Sequence, residues 1–160
     1  MTFLEQLVAE WHSFLGYYVR TNVMVGKREK GGYEGELDVV AFHPTTKELI
    51  HIETSMDALS WEKRRERYTR KFEIGRRYIP DLFPFTHRKH GQVVVLGFPR
   101  GHRESDPLGK DIEVVLMPDF IHRIREELKG RKVETGAVPS QYPLLRAIQF
   151  ALDYGGFLMG

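Results

Sequence analysis

A chain of 160 residues with 41% hydrophobic content has the size and composition of one globular domain, covering residues 1–160. It has no cysteine, which excludes disulfides, thiolate zinc sites and cysteine nucleophiles. Its net charge is +2, no stretch reaches the ~18 uncharged apolar residues of a membrane span, and Met1-Thr2-Phe3-Leu4-Glu5 lacks the basic start of a signal peptide, so the chain reads as cytoplasmic with no membrane partner.

Phe3, Leu4, Leu7, Val8, Trp11 and Phe14 recur at three- and four-residue spacing and predict a helix from Thr2 to Leu15. Thr2 and Glu5 form a capping box and Gly16 stops the helix. Tyr17 to Val25, Tyr33 to Phe42 and Glu48 to Thr54 read as strands, separated by the Gly-bounded loop 26–32 and the turn His43-Pro44-Thr45-Thr46. Ser60 caps a long helix to about Tyr78, with an apolar stripe of Trp61, Tyr68, Phe72, Gly75 and Ile79, ended by Pro80. Gln92 to Phe98 has the continuous apolar run of a central strand buried on both faces. A Gly- and charge-rich loop, Arg100 to Lys110, leads to a strand from Ile112 to Met117 and a helix to Lys129. Residues 131–141 read as irregular, and Tyr142 to Tyr154 as a last apolar helix. The order αβββαβ, then βαα, predicts an α/β protein: one mixed central sheet flanked by helices.

Positive charge is concentrated. Trp61 to Arg77 holds eight basic and three acidic residues, so this one helix carries +5 and the remainder is net negative. That footprint suits a polyanion, nucleic acid first, with Arg67, Arg70 and Lys71 as contacts. Lys27, Arg28 and Lys30 offer further phosphate contacts from the loop 26–32, which lacks the GKS/T ending of a P-loop. The apolar C-terminal helix reads as packing onto the sheet, with a homodimer contact as the alternative.

The chemistry lies in "GELDVVAF" and "ELIHIETS". Strand alternation puts Glu36, Asp38, Val40 and Phe42 on one face, and His51, Glu53 and Ser55 on one face of the next strand. A turn near Pro44 to Lys47 brings Asp38 and Glu53 close. Two such carboxylates repel unless a cation sits between them, and Mg²⁺ or Mn²⁺ is the natural occupant. The pair therefore points to metal-assisted phosphodiester hydrolysis.

Helix, Gly-aromatic, strand, "GELDVVAF", "ELIHIETS", basic helix and "VVVLGF" together resemble the PD-(D/E)XK nuclease superfamily. These are the restriction-endonuclease-like proteins, including Mrr-type enzymes and archaeal junction resolvases. The resemblance covers Phe3 to Phe98 and extends to a core of about 3–128. It implies that Asp38 and Glu53 bind the metal and that an acid of the first helix assists. Spacing to Gly16-Tyr17 matches Glu5, whereas the helical wheel favours Glu10. The family's lysine, two positions after the Glu, is Ser55 here, and serine supplies no positive charge. One explanation is migration of the charge to the start of the following helix, at Lys63 or Arg64. The other is loss of catalysis, leaving a nucleic-acid-binding or protein-assembly module on the same fold.

His51 reads as a packed or solvated sheet residue rather than a base. His87 and His90 are three apart with no carboxylate partner, a weak pattern for a metal site. Tyr68 fits core packing.

Overall fold

The computed structural model describes residues 1–85, 90–98 and 107–155. The elements are α1 (Phe3–Phe14), β1 (Tyr18–Lys27), β2 (Tyr33–Phe42), β3 (Leu49–Ser55), α2 (Trp61–Leu82), β4 (Gly91–Leu96), β5 (Glu113–Leu116), α3 (Met117–Leu128), α4 (Val133–Gly136) and α5 (Pro143–Tyr154). The five strands form one sheet in the order β1-β2-β3-β4-β5. β1–β2 and β2–β3 are antiparallel; β3–β4 and β4–β5 are parallel. The protein is thus α/β, with a mixed central sheet flanked by helices. Among the described residues no helix is long and apolar enough to cross a membrane.

The helices divide between the two faces. Leu4, Leu7, Val8 and Trp11 of α1, Phe120 and Ile124 of α3 and Leu145 of α5 bury against Val39, Ala41, Ile52, Val95 and Val115. On the opposite face α2 is the only helix among the described residues. Its Ile79 packs with Val40, Phe42 and Leu49, and its Tyr68 and Phe72 pack with Val94, Leu96 and Val114. The α1 start is as expected: Thr2 accepts from the Glu5 N–H and Glu5 accepts from the Thr2 N–H.

Three local expectations change. Pro80 does not end α2, which runs to Leu82. Near a C-terminus the missing N–H forfeits a single bond, and the Phe83 N–H still reaches Ile79 O at 3.0 Å while both side chains are buried against β2. Residues 133–136 form a helical turn rather than irregular chain. Strict alternation along β2 also fails. Val39 faces α1, but Leu37 joins the α2 cluster with Val23 and Val25. At Gly35 an added Cβ would lie 3.0 Å from Ile74 of α2. The facing switches at Asp38, across from Asn22, which has the left-handed φ of 50° that Asn tolerates. Glu36, expected beside Asp38, instead accepts from Asn22 Nδ2 at 2.8 Å.

Candidate active site

The β2–β3 ladder runs from Phe42–Leu49 to Val39–Ile52 and stops there. The next residues in register are Asp38 and Glu53. Here the strands part, and side chains replace the ladder bonds. The Thr54 N–H donates to Asp38 Oδ2 at 2.9 Å, and the Asp38 N–H points to Glu53 Oε1 at 3.4 Å. Both acids are buried, Glu53 with 0% exposure and Asp38 with 7%. They are held by the sheet itself, so neither is a solvated strand end.

One cation joins them. Lys71, in the middle of α2, donates from Nζ to Asp38 Oδ1 at 2.7 Å and also to Glu53 Oε2. Its placement follows from α2 passing over β3 in the opposite direction. A helical turn advances about 5.4 Å and two strand residues about 6.6 Å, so matched steps stay nearly in phase. Gly75 lies on His51, where an added Cβ would come 2.3 Å from Nδ1. One turn back, Lys71 meets Glu53, and Tyr68 follows beside Ser55.

The electrostatics reflect two anions sharing one cation in a largely buried site. Burial pushes Asp38 up and the Glu53 charge adds to this; Lys71 and the Thr54 N–H only partly offset them. Burial pushes Glu53 up as well, but hydrogen bonding and charge from His51, together with Lys71, hold it below the usual carboxylate range. Burial alone would lower Lys71; Glu53 and Asp38 outweigh it and hold the ammonium above its ordinary value. Glu53 is therefore the firmly ionised partner and Asp38 the strained one.

The donor set suits a hard divalent cation. Two carboxylate oxygens from adjacent strands converge on a single positive group, and Mg²⁺ binds through one or two carboxylates while keeping several waters. Among the described residues no group of three or more His, Asp or Glu is spaced as a metal cluster. Any ion here would be held by Asp38 and Glu53.

The other expected residues are distributed differently. Ser55 is buried on the Glu53 side of β3, and its Oγ accepts from the Asp57 N–H at 3.0 Å. Arg64 does not reach the acids. It is fully buried, and Nη2 donates to Asp57 O at 3.0 Å and Phe98 O at 2.7 Å, clamping the start of α2 to the end of β4. Lys63 is exposed near the helix start, its N–H capped by Ser60. The cation that contacts the two acids is thus not in the first turn of α2 but two turns further on. Glu10 is likewise occupied elsewhere. Its Oε2 accepts the N–H groups of Leu144 at 2.8 Å and Leu145 at 3.0 Å, capping α5 where no local side chain does so. Glu5 accepts from Asn22 Nδ2 at 3.3 Å, one amide away from the strand position facing Asp38.

Lys71 is turned inward, so of the expected phosphate contacts Arg67 and Arg70 remain on the α2 surface. Arg67 pairs with Asp57 at 2.6 Å. Lys63, Arg67, Arg70 and Lys71 line a groove of about 400 Å³ against Glu34, Gly35 and Glu36 of β2. A neighbouring groove of about 300 Å³ shares Arg70 and Glu34 and adds Arg28 and Arg77. Lys27 ends β1, and Lys30 is exposed in the turn. His87 lies outside the described residues. His90 is buried, its ring 6.2 Å from that of His51.

Lys71, expected as a surface phosphate contact, is instead joined to the two acids. The available signal was Gly75: a glycine in the buried stripe of a helix marks close approach to the sheet, and Lys71 lies one turn before it.

No protein-family model matches this chain, and no curated protein matches its sequence. Among solved structures, the crystal structure of a protein of unknown function, AF1548, is similar over 96% of this chain and 98% of that one. Its TM-score is 0.51 at 15% identity, a likeness of fold alone.

Proposed function

We propose that the protein is a metal-dependent nuclease of the restriction-endonuclease-like type, hydrolysing phosphodiester bonds in DNA. The observation that carries this reading is the Asp38–Lys71–Glu53 constellation. It supplies, where two strands part, the two acids and the lysine that the PD-(D/E)XK resemblance calls for. The lysine comes from α2 instead of position 55.

In this reading Asp38 and Glu53 hold Mg²⁺ or Mn²⁺, which when bound polarises a phosphoryl oxygen and acidifies its water. Lys71 presents an ammonium to the scissile phosphate, where it offsets the charge that develops in the transition state. Lys63, Arg67 and Arg70, with Arg28 across the adjoining groove, hold the phosphate backbone. The outward Phe150, Leu152 and Tyr154 of α5 offer a symmetric contact that would pair two sites for two strands.

A second reading has one specific support. Lys71 already balances part of the acid pair, so the triad is also what a silent DNA-binding or assembly module would retain. Plasmid nicking with Mg²⁺ or Mn²⁺, wild type beside Asp38→Ala and Glu53→Ala, separates the two. Metal-dependent nicking lost in both variants supports the nuclease. Nicking that survives both refutes this site, and absence of nicking with DNA binding retained favours the silent module.

A further inference from the structure

Glu53 has two oxygens with different neighbours. Oε2 faces Lys71, while Oε1 accepts from His51 Nε2 at 2.7 Å and is approached by the Asp38 N–H. A carboxylate only accepts, so Nε2 is the donor. The imidazole has 0% exposure. Among the described residues its Nδ1 has no hydrogen-bond partner, and it rests on Gly75, whose missing side chain leaves room for it. Phe72 stacks edge-on against the ring at 4.9 Å. Gly in a helix interior costs about 1 kcal/mol relative to Ala, so the contact has a price in helix stability. An apolar residue at position 51 would pack here without needing Gly75 or leaving a buried nitrogen unpaired.

We infer that His51 is a positioning residue for Glu53: seated on Gly75, it fixes Oε1 and thereby directs Oε2 toward the cation shared with Asp38. This rests on the proposed metal site. It adds a hydrogen-bonding group beyond the two acids and the lysine, and it gives a role to the glycine of α2. Hydrogen-bond partners of metal-binding carboxylates orient them, and losing one costs roughly 10–100-fold in metal affinity.

The test is Mn²⁺ affinity by titration calorimetry on the full chain without DNA, with thermal melts confirming folding. His51→Leu fills the space without a donor and should bind Mn²⁺ at least ~10-fold more weakly. His51→Gln places an amide N–H near the position of Nε2 and should restore most of that loss. Gly75→Ala, which displaces the ring while leaving every polar group in place, should weaken binding in the same direction. If His51→Leu does not fold, His51→Asn replaces it: the same amide, one methylene too short, should bind more weakly than His51→Gln. Wild-type affinity in His51→Leu, or equal affinities in the Gln and Asn variants, overturns the inference while leaving Asp38 and Glu53 as ligands. A wild-type protein that binds no Mn²⁺ overturns the metal site and this inference together.

Discussion

Asp38 and Glu53 stand opposite one another in the β2–β3 register, and each carboxylate takes up a backbone N–H of the other's strand. The acids therefore do two things at once. They satisfy the backbone where the ladder opens, and they leave one oxygen each, Oδ1 and Oε2, for a cation. Burial makes this arrangement stable only with positive charge nearby, which Lys71 provides and a divalent ion would increase.

The unequal charge states predict opposite stability effects at neutral pH without metal. Asp38 has a folded pKa above its unfolded value, so its ionisation opposes folding; this penalty is complete above the folded pKa and absent below the unfolded value of about 3.9. Glu53 has a folded pKa below its unfolded value. Its contribution is present above about 4.3 and disappears as pH falls through the lowered folded pKa. Asp38→Asn should raise Tm at pH 7. Glu53→Gln should lower it. Melts followed down to acid should show the Asp38→Asn advantage vanishing. An Asp38→Asn protein less stable than wild type at neutral pH would contradict the assignment of strain to Asp38.

Glu10→Ala removes the cap of α5. Two helix N–H groups lose their acceptor, which should cost about 1 kcal/mol, within the range for lost N-caps. Nicking per folded molecule should stay at the wild-type level. Urea denaturation read beside the activity assay checks both parts; an activity loss without a stability loss would return Glu10 to the catalytic site.

Charge removal along α2 should not be uniform. Lys63 and Arg70 line the groove with no ion pair to an acid among the described residues, whereas Arg67 is engaged by Asp57. Lys63→Ala and Arg70→Ala should each reduce the slope of log affinity against log salt by about 1. Arg67→Ala should reduce it less, because Asp57 already offsets its charge. Fluorescence anisotropy with a labelled duplex across a salt series measures all three, and a wild-type slope near zero would remove α2 as the contact surface.

Much of the site is legible from local rules. Two-residue alternation and the turn at 43–47 bring Asp38 opposite Glu53, and the Thr2/Glu5 box follows from spacing. What escapes is set by backbone paths that spacing does not encode. The switch in facing at Asp38 depends on the left-handed Asn22 across the ladder. Lys71 reaches the acids because α2 lies against β3 at Gly75, a tertiary contact that the helical wheel reports only as a flanking position. Glu10 reads as a candidate site acid because the helix it caps begins 133 positions later in the chain. Pro80 follows a local rule that the burial of Ile79 and Phe83 overrides.

If Lys71 supplies the cation missing at position 55, its removal should show in single-turnover plasmid nicking with Mg²⁺ in wild type, Lys71→Ala, and Lys71→Ala combined with Ser55→Lys. Losing one charge-stabilising donor should slow the chemical step by about 10²–10³-fold, and restoring a lysine from the strand should recover a large part of that loss. Lys71→Ala nicking at the wild-type rate would show that Lys71 has no part in the chemical step.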